Sequence, residues 1–134
     1  MGDFRKLLVW EKAYAIELEV DRISARMRGR KGALRTQLVR AVNSISSNIV
    51  EGSGQASPRE YARYVRSSIT SSKESEHHLL IARDTNAIGR IDADSVIDRV
   101  IEVRKMLHGL LRHLEGLDPP PPSSERPKPP RRKR

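Results

Sequence analysis

The chain has 134 residues, of which 37% are hydrophobic and 32% charged, enough apolar content for one modest core. It contains no cysteine, which excludes a disulfide framework, thiolate metal ligation and a cysteine nucleophile. Its net charge is +9, but residues 119–134 hold six Lys or Arg against Glu125, a local balance of +5, so the rest of the chain is only mildly basic. Charges scattered through the opening residues interrupt any signal-peptide core, and no window approaches the roughly 18 apolar residues of a membrane span. The expectation is a cytoplasmic protein with no membrane contact.

The first helical pattern covers residues 4–27. Leu7, Trp10, Ala13, Ile16, Val20, Ile23 and Met27 recur every three or four positions and define a core stripe, with Trp10, the sole tryptophan, as an anchor near one end of a bundle. The pattern lapses over residues 26–35, where Gly29 and Gly32 punctuate a basic connection. Arg26, Arg28, Arg30, Lys31 and Arg35 lie there, so the segment reads either as a solvated loop or as a phosphate-contacting patch.

A second helix is expected over residues 33–50. Leu34, Leu38, Ala41, Ile45 and Ile49 mark its buried face, while Gln37, Arg40, Ser44, Asn48 and Glu51 line up as a narrow polar stripe beside it. Such a stripe can be a buried polar network, a subunit seam or a ligand site, and the sequence supports these in that order. Arg40 is expected to form an ion pair, within the chain or between subunits, with Glu51, Glu74 or Glu76. The helix stops at Gly52-Ser53-Gly54, with glycine expected in the left-handed cap conformation. This Gly-Ser-Gly follows a helix instead of a strand and lacks the lysine of a phosphate-binding loop.

Ser57, Pro58 and Glu60 form a capping box with proline at the first helical position, opening a third helix that runs to residue 86. Tyr61, Tyr64, Val65, Ile69, Leu79 and Ala82 supply its apolar face. Ser68, Ser71, Ser72 and Ser75 occupy inward positions, and their hydroxyls are expected to satisfy Gln37, Ser44 or Asn48 of helix two. After a turn at residues 88–90, Asp92 or Asp94 is expected to cap a fourth helix reaching residue 117. Its seam is Val96, Val100, Val103, Leu107, Leu110 or Leu111, and Leu114.

Four helices joined by short turns, with no strand signal and no repeat, imply an all-α, antiparallel up-down-up-down bundle over residues 1–118. Residues 119–134 hold seven prolines and no apolar aliphatic or aromatic side chain, so a disordered, polyproline-biased tail is expected. Its Arg126, Lys128, Arg131, Arg132, Lys133 and Arg134 suit a nucleic-acid arm, a solubilising extension or a proline-motif ligand.

Catalytic chemistry finds little support. Glu74 and His78 share a helix face at metal-ligand spacing, but helix two offers only Glu51 and helix four only His108, His113 and Glu115, too few for a di-metal bundle. Glu74 and Glu76 are instead expected to neutralise arginines such as Arg40 or Arg83. The serines are helical, with no strained nucleophile turn and no histidine pattern beside them. No enzyme activity, cofactor or metal is expected.

The segments Gln37-x-x-Arg40-Ala41-x-x-Ser44-Ile45-x-x-Asn48-Ile49-x-Glu51-Gly52-x-Gly54, Ser57 with Tyr61, and Ser71-x-x-Glu74-x-Glu76-x-x-Leu79-x-x-Ala82 resemble the bacterial four-helix-bundle family of 23S ribosomal RNA intervening-sequence proteins. Trp10 and Ala13 fit that family's opening, and the resemblance spans roughly residues 4–115. It implies an antiparallel bundle assembling as a homopentamer with no catalytic activity, similar to the accessory protein of diversity-generating retroelements, which binds a reverse transcriptase and nucleic acid. The sequence departs from the family at Ser67, Ser68, Thr70 and Ser75, where Ile, Ala, Gly and Leu are preferred, and the proline-rich tail lies outside the pattern. The functional expectation is a non-enzymatic oligomer that binds RNA or other nucleic acid through basic surface and tail. The alternative is an adaptor docking a polymerase or ribosome-associated protein.

Overall fold

Apolar residues at helical spacing leave a chain of this length little choice but to bury four stripes against one another. The computed structural model describes residues 2–119. A 3-10 turn (Phe4–Lys6), capped by the Asp3 carboxylate on the Arg5 amide, leads into α1 (Leu8–Ser24). Then follow α2 (Arg30–Ser53), α3 (Pro58–Asp84) and α4 (Arg90–Leu117). Each helix packs on its two neighbours, α4 closing back on α1, and the diagonal pairs α1–α3 and α2–α4 make no substantial contact. That is the square cross-section of an up-down-up-down bundle. Among the described residues there is no strand, and no helix is long and apolar enough to cross a membrane.

The expected stripes form the core. Ile16, Leu38, Ile45, Ile49, Leu79, Leu107 and Leu114 are fully buried, with Val20, Val42, Val65, Val96 and Val100 between them. Burying side chains of this size stabilises by roughly 1.5–3 kcal/mol each relative to exposure. Leu7 and Ile23 are only partly covered. Trp10 packs against the edge of the core and is not enclosed in it: it sits half-buried on the flank of α1, edge-on to Phe4 at 5.1 Å and stacked on Tyr14 at 5.0 Å.

The helix ends differ from expectation in instructive ways. Ser57 caps α3 as expected, its Oγ accepting from the Glu60 amide at 3.1 Å, with Pro58 in the first turn. The chain leaves α3 through Asn86, which takes the left-handed conformation (φ 59°), while the Ala87 and Asn86 amides return to the Ala82 and Arg83 carbonyls. Asparagine tolerates that conformation better than other non-glycine residues, so it closes the helix where glycine would be usual. Neither Asp92 nor Asp94 caps α4. Gly89 is the N-cap without a side-chain hydrogen bond, Asp92 lies in the first turn, and Asp94 accepts from Arg83 Nη1 at 2.9 Å.

The glycines after helix two act differently from expectation as well. Gly52 lies inside α2, and Gly54 has φ −86°, so neither is left-handed. A Cβ on Gly52 would come within 2.8 Å of Tyr61 Cδ1 and 2.9 Å of Tyr64 Cβ. Glycine is needed here because α3 begins against the bare backbone of α2. The left-handed glycine is Gly29 (φ 63°), at the start of α2.

Candidate nucleic-acid interface

The basic connection is shorter than its sequence suggested, because α2 begins at Arg30 and takes in Arg30, Lys31 and Arg35. Residues 25–29 form the actual link, pinned by the buried Met27, whose amide donates to the Ser24 carbonyl at 3.0 Å. Arg26, Arg28, Arg30 and Lys31 are exposed, and none has a carboxylate partner among the described residues. They surround the amino end of α2, where the aligned peptide dipoles add partial positive charge and no side chain caps the helix.

Arg35 does not join them. Its Nε donates to the Ser24 carbonyl at 3.0 Å and its Nη2 reaches Asp21 at 3.1 Å, so the guanidinium ties the carboxyl end of α1 to α2. The phosphate patch expected over residues 26–35 therefore reduces to four cations. The tail residues Arg126, Lys128, Arg131, Arg132, Lys133 and Arg134 lie outside the described residues.

The polar stripe of α2 is not a buried network. Gln37, Arg40 and Glu51 are exposed, and Ser44 and Asn48 are half-buried. Asn48 Nδ2 donates to the Ser44 carbonyl of its own helix at 2.7 Å. The α3 serines do not reach the stripe: Ser68 Oγ donates across to the Ile45 carbonyl at 2.8 Å, Ser72 Oγ to the Ile69 carbonyl and Ser75 Oγ to the Ser71 carbonyl. A hydroxyl one turn from a helical carbonyl satisfies itself locally, which leaves the stripe facing outward. Ser67 and Thr70 likewise bond the Arg63 and Arg66 carbonyls.

Arg40 has no ion pair within the described chain, and neither Glu51 nor Glu74 finds a cation there. Arg40 and Ser44 instead line an open cleft of about 490 Å³ with Thr36, Asn43 and Ser47. Glu76 pairs with a residue the sequence reading did not single out, Arg104 of α4. Arg104 Nε also donates to Ser72 Oγ at 2.8 Å and its Nη2 to the Ser72 carbonyl at 3.3 Å. This clamp welds α3 to α4, while Arg83 is held by Asp84 and Asp94. The signal was present in principle: Arg104 adjoins the seam residue Val103, and Ser72 and Glu76 are one turn apart.

His78 is half-buried on α3, with Nδ1 enclosed and unpartnered among the described residues. Burial, reinforced by the neighbouring His77, pushes it below the usual histidine value against a weaker opposing pull from Glu74. Glu74 itself is exposed, and among the described residues no cluster of three or more His, Asp or Glu could hold a metal ion.

A four-helix bundle with this outward polar stripe and basic corner defines the class of protein. The chain belongs to the family of 23S rRNA-intervening sequence proteins, whose match covers residues 5–109. Among solved structures it is similar to a protein of unknown function from the S23 ribosomal protein family of Bacteroides thetaiotaomicron VPI-5482. The TM-score is 0.74 at 19% identity, over 78% of this chain and 99% of that one, a likeness of fold. No curated protein sequence matches.

Proposed function

We propose that the protein is a non-enzymatic, oligomeric bundle that binds RNA or other nucleic acid through phosphates, in the cytoplasm. The observation that carries this reading is the unneutralised corner. Most arginines of the helix bodies are matched to carboxylates, whereas Arg26, Arg28, Arg30 and Lys31 cluster around the positive end of α2 with no carboxylate partner among the described residues. Phosphate contacts of this kind position a polyanion without reading bases. Aromatics are only 4% of the chain, which argues against a base-stacking platform and for weak sequence preference. Titration of RNA across a salt series tests the reading. Four phosphate contacts give a log-log slope of about −3 to −4, whereas salt-insensitive capture of a polymerase or ribosome-associated protein would favour the adaptor.

The outward polar stripe favours a second element of this reading, self-association. Arg40, Glu51 and Glu74 lie open on the α2–α3 side without partners in the described chain, a pattern suited to reciprocal ion pairs between copies. Assembly, a pentamer by family resemblance, would repeat the basic corner around a ring and convert weak contacts into avidity.

A further inference from the structure

Helix α1 differs in charge from the other three. Glu11, Glu17, Glu19 and Asp21 outnumber Lys12 and Arg22, giving −2, whereas α2 carries four cations against Glu51 and is +3. α3 is +1, from five cations and four carboxylates, and α4 is neutral, with five of each. On the outer flank of α1, Trp10, Glu11, Tyr14, Glu17 and Leu18 follow the i, i+1, i+4, i+7, i+8 spacing of one helix face. Trp10 and Tyr14 are stacked within 12° of parallel, Tyr14 is 39% exposed and Leu18 55%. Glu11 has no cationic partner among the described residues, nor has Glu17, which accepts from the neutral Ser46 hydroxyl at 2.8 Å. The result is an aromatic shelf between two carboxylates that have no cationic partner among the described residues, on an otherwise basic molecule.

We propose that residues 120–134 of the same chain dock on this shelf, with prolines against the Trp10–Tyr14 stack and the following arginines on Glu11 and Glu17. Stacked aromatics accept the preformed polyproline helix at little entropic cost, and guanidinium–carboxylate pairs fix its direction. The segment Lys128-Pro129-Pro130-Arg131-Arg132 has both elements in the needed order. Its origin is held at the start of α3, where Arg59 pairs with Asp118 and donates to the Pro119 carbonyl at 2.8 Å, so the segment must cross the end of the bundle to reach α1. Lys12 pairs with Glu102 at 2.8 Å, so α4 runs 16 residues beyond that level to Asp118, about 24 Å at the helical rise. The 12 residues from Pro120 to Arg131 span about 37 Å as polyproline II, more than the distance back to the level of Lys12. Tail cations held on α1 are withheld from phosphates, which leaves the corner of α2 as the primary contact surface. The docking stands whether or not that corner binds nucleic acid.

The chain's single tryptophan and lack of cysteine make the test direct. The 134-residue chain carrying Arg134→Cys, labelled with a thiol-reactive energy acceptor, reports the distance from Trp10 to residue 134. Transfer should be efficient at low salt, and should fall by about twofold or more in the Glu11→Gln/Glu17→Gln double variant and near 1 M salt. The amide introduced by Glu17→Gln retains an acceptor for the Ser46 hydroxyl, so the helix signal in circular dichroism should not change. Arg131→Gln/Arg132→Gln, which leaves the bundle untouched, should give the same loss. Equal transfer in the parent and both double variants overturns the proposal. Transfer that rises with protein concentration also overturns it, because it places the tail on a neighbouring copy.

Discussion

Gly52 shows how one residue can be located from sequence and still be misassigned. A glycine near the end of an apolar pattern reads as a terminator, yet the helix runs through it, and the space a Cβ would need is filled by Tyr61 and Tyr64. Gly52→Ala should therefore destabilise the bundle by about 1–3 kcal/mol through overpacking, seen as a lower thermal midpoint, although alanine is the better helix former. A midpoint at or above that of the parent would remove the close-approach argument. His78 supplies a pH dependence of definite sign. Its folded value lies below the unfolded one, so its neutral form supports the fold above the ordinary histidine range, and stability falls as acidification drives it toward protonation. Denaturant midpoints between about pH 7 and 5 should decline in the parent and flatten in His78→Gln. An unchanged slope would show that the enclosed imidazole is not responsible.

At the scale of elements, periodicity located all four helices and most of the core, because burial of one face is a property each segment carries by itself, though it passed over Val9, Val42, Ala62, Ile88, Ala93 and Ile97. It could not tell which polar side chains meet. Ser68, Ser71, Ser72 and Ser75 were correctly placed inward, but a serine within a helix can turn to its own preceding carbonyl, and Ser72 and Ser75 do so. The stripe from Gln37 to Glu51 was likewise found as a stripe, while its outward direction depends on how far α3 rotates about α2. Arg104 was missed because an arginine beside an apolar seam reads as solvent-facing until Glu76 and Ser72 are brought opposite it. Arg104→Ala removes the clamp and leaves Glu76 and the Ser72 carbonyl half-enclosed, which should cost about 2–3 kcal/mol in urea unfolding. A loss below about 0.5 kcal/mol would reduce the clamp to an ordinary surface pair.

At the scale of the whole molecule, charge is sorted by element: an acidic α1 flank, a basic α2 corner and a strongly basic terminal segment. Composition revealed the excess charge, but only the fold separates Arg35, tied to Ser24 and Asp21, from the four neighbours that remain open. The outward stripe carries the assembly argument. Arg40, exposed and unpaired among the described residues, should when changed to Ala leave helicity intact and lower the mass seen in sedimentation; an unchanged mass would take Arg40 out of any subunit seam. The most direct test of the central claim is the salt dependence of RNA binding by the parent and by a variant with Arg26, Arg28, Arg30 and Lys31 all changed to Gln. Each lost phosphate contact should make the log-log slope shallower by about 0.7–0.9, so the variant should lose most of the parent's slope along with its affinity. A parent and variant that bind RNA with the same steep slope would contradict the assignment of the α2 corner as the nucleic-acid surface.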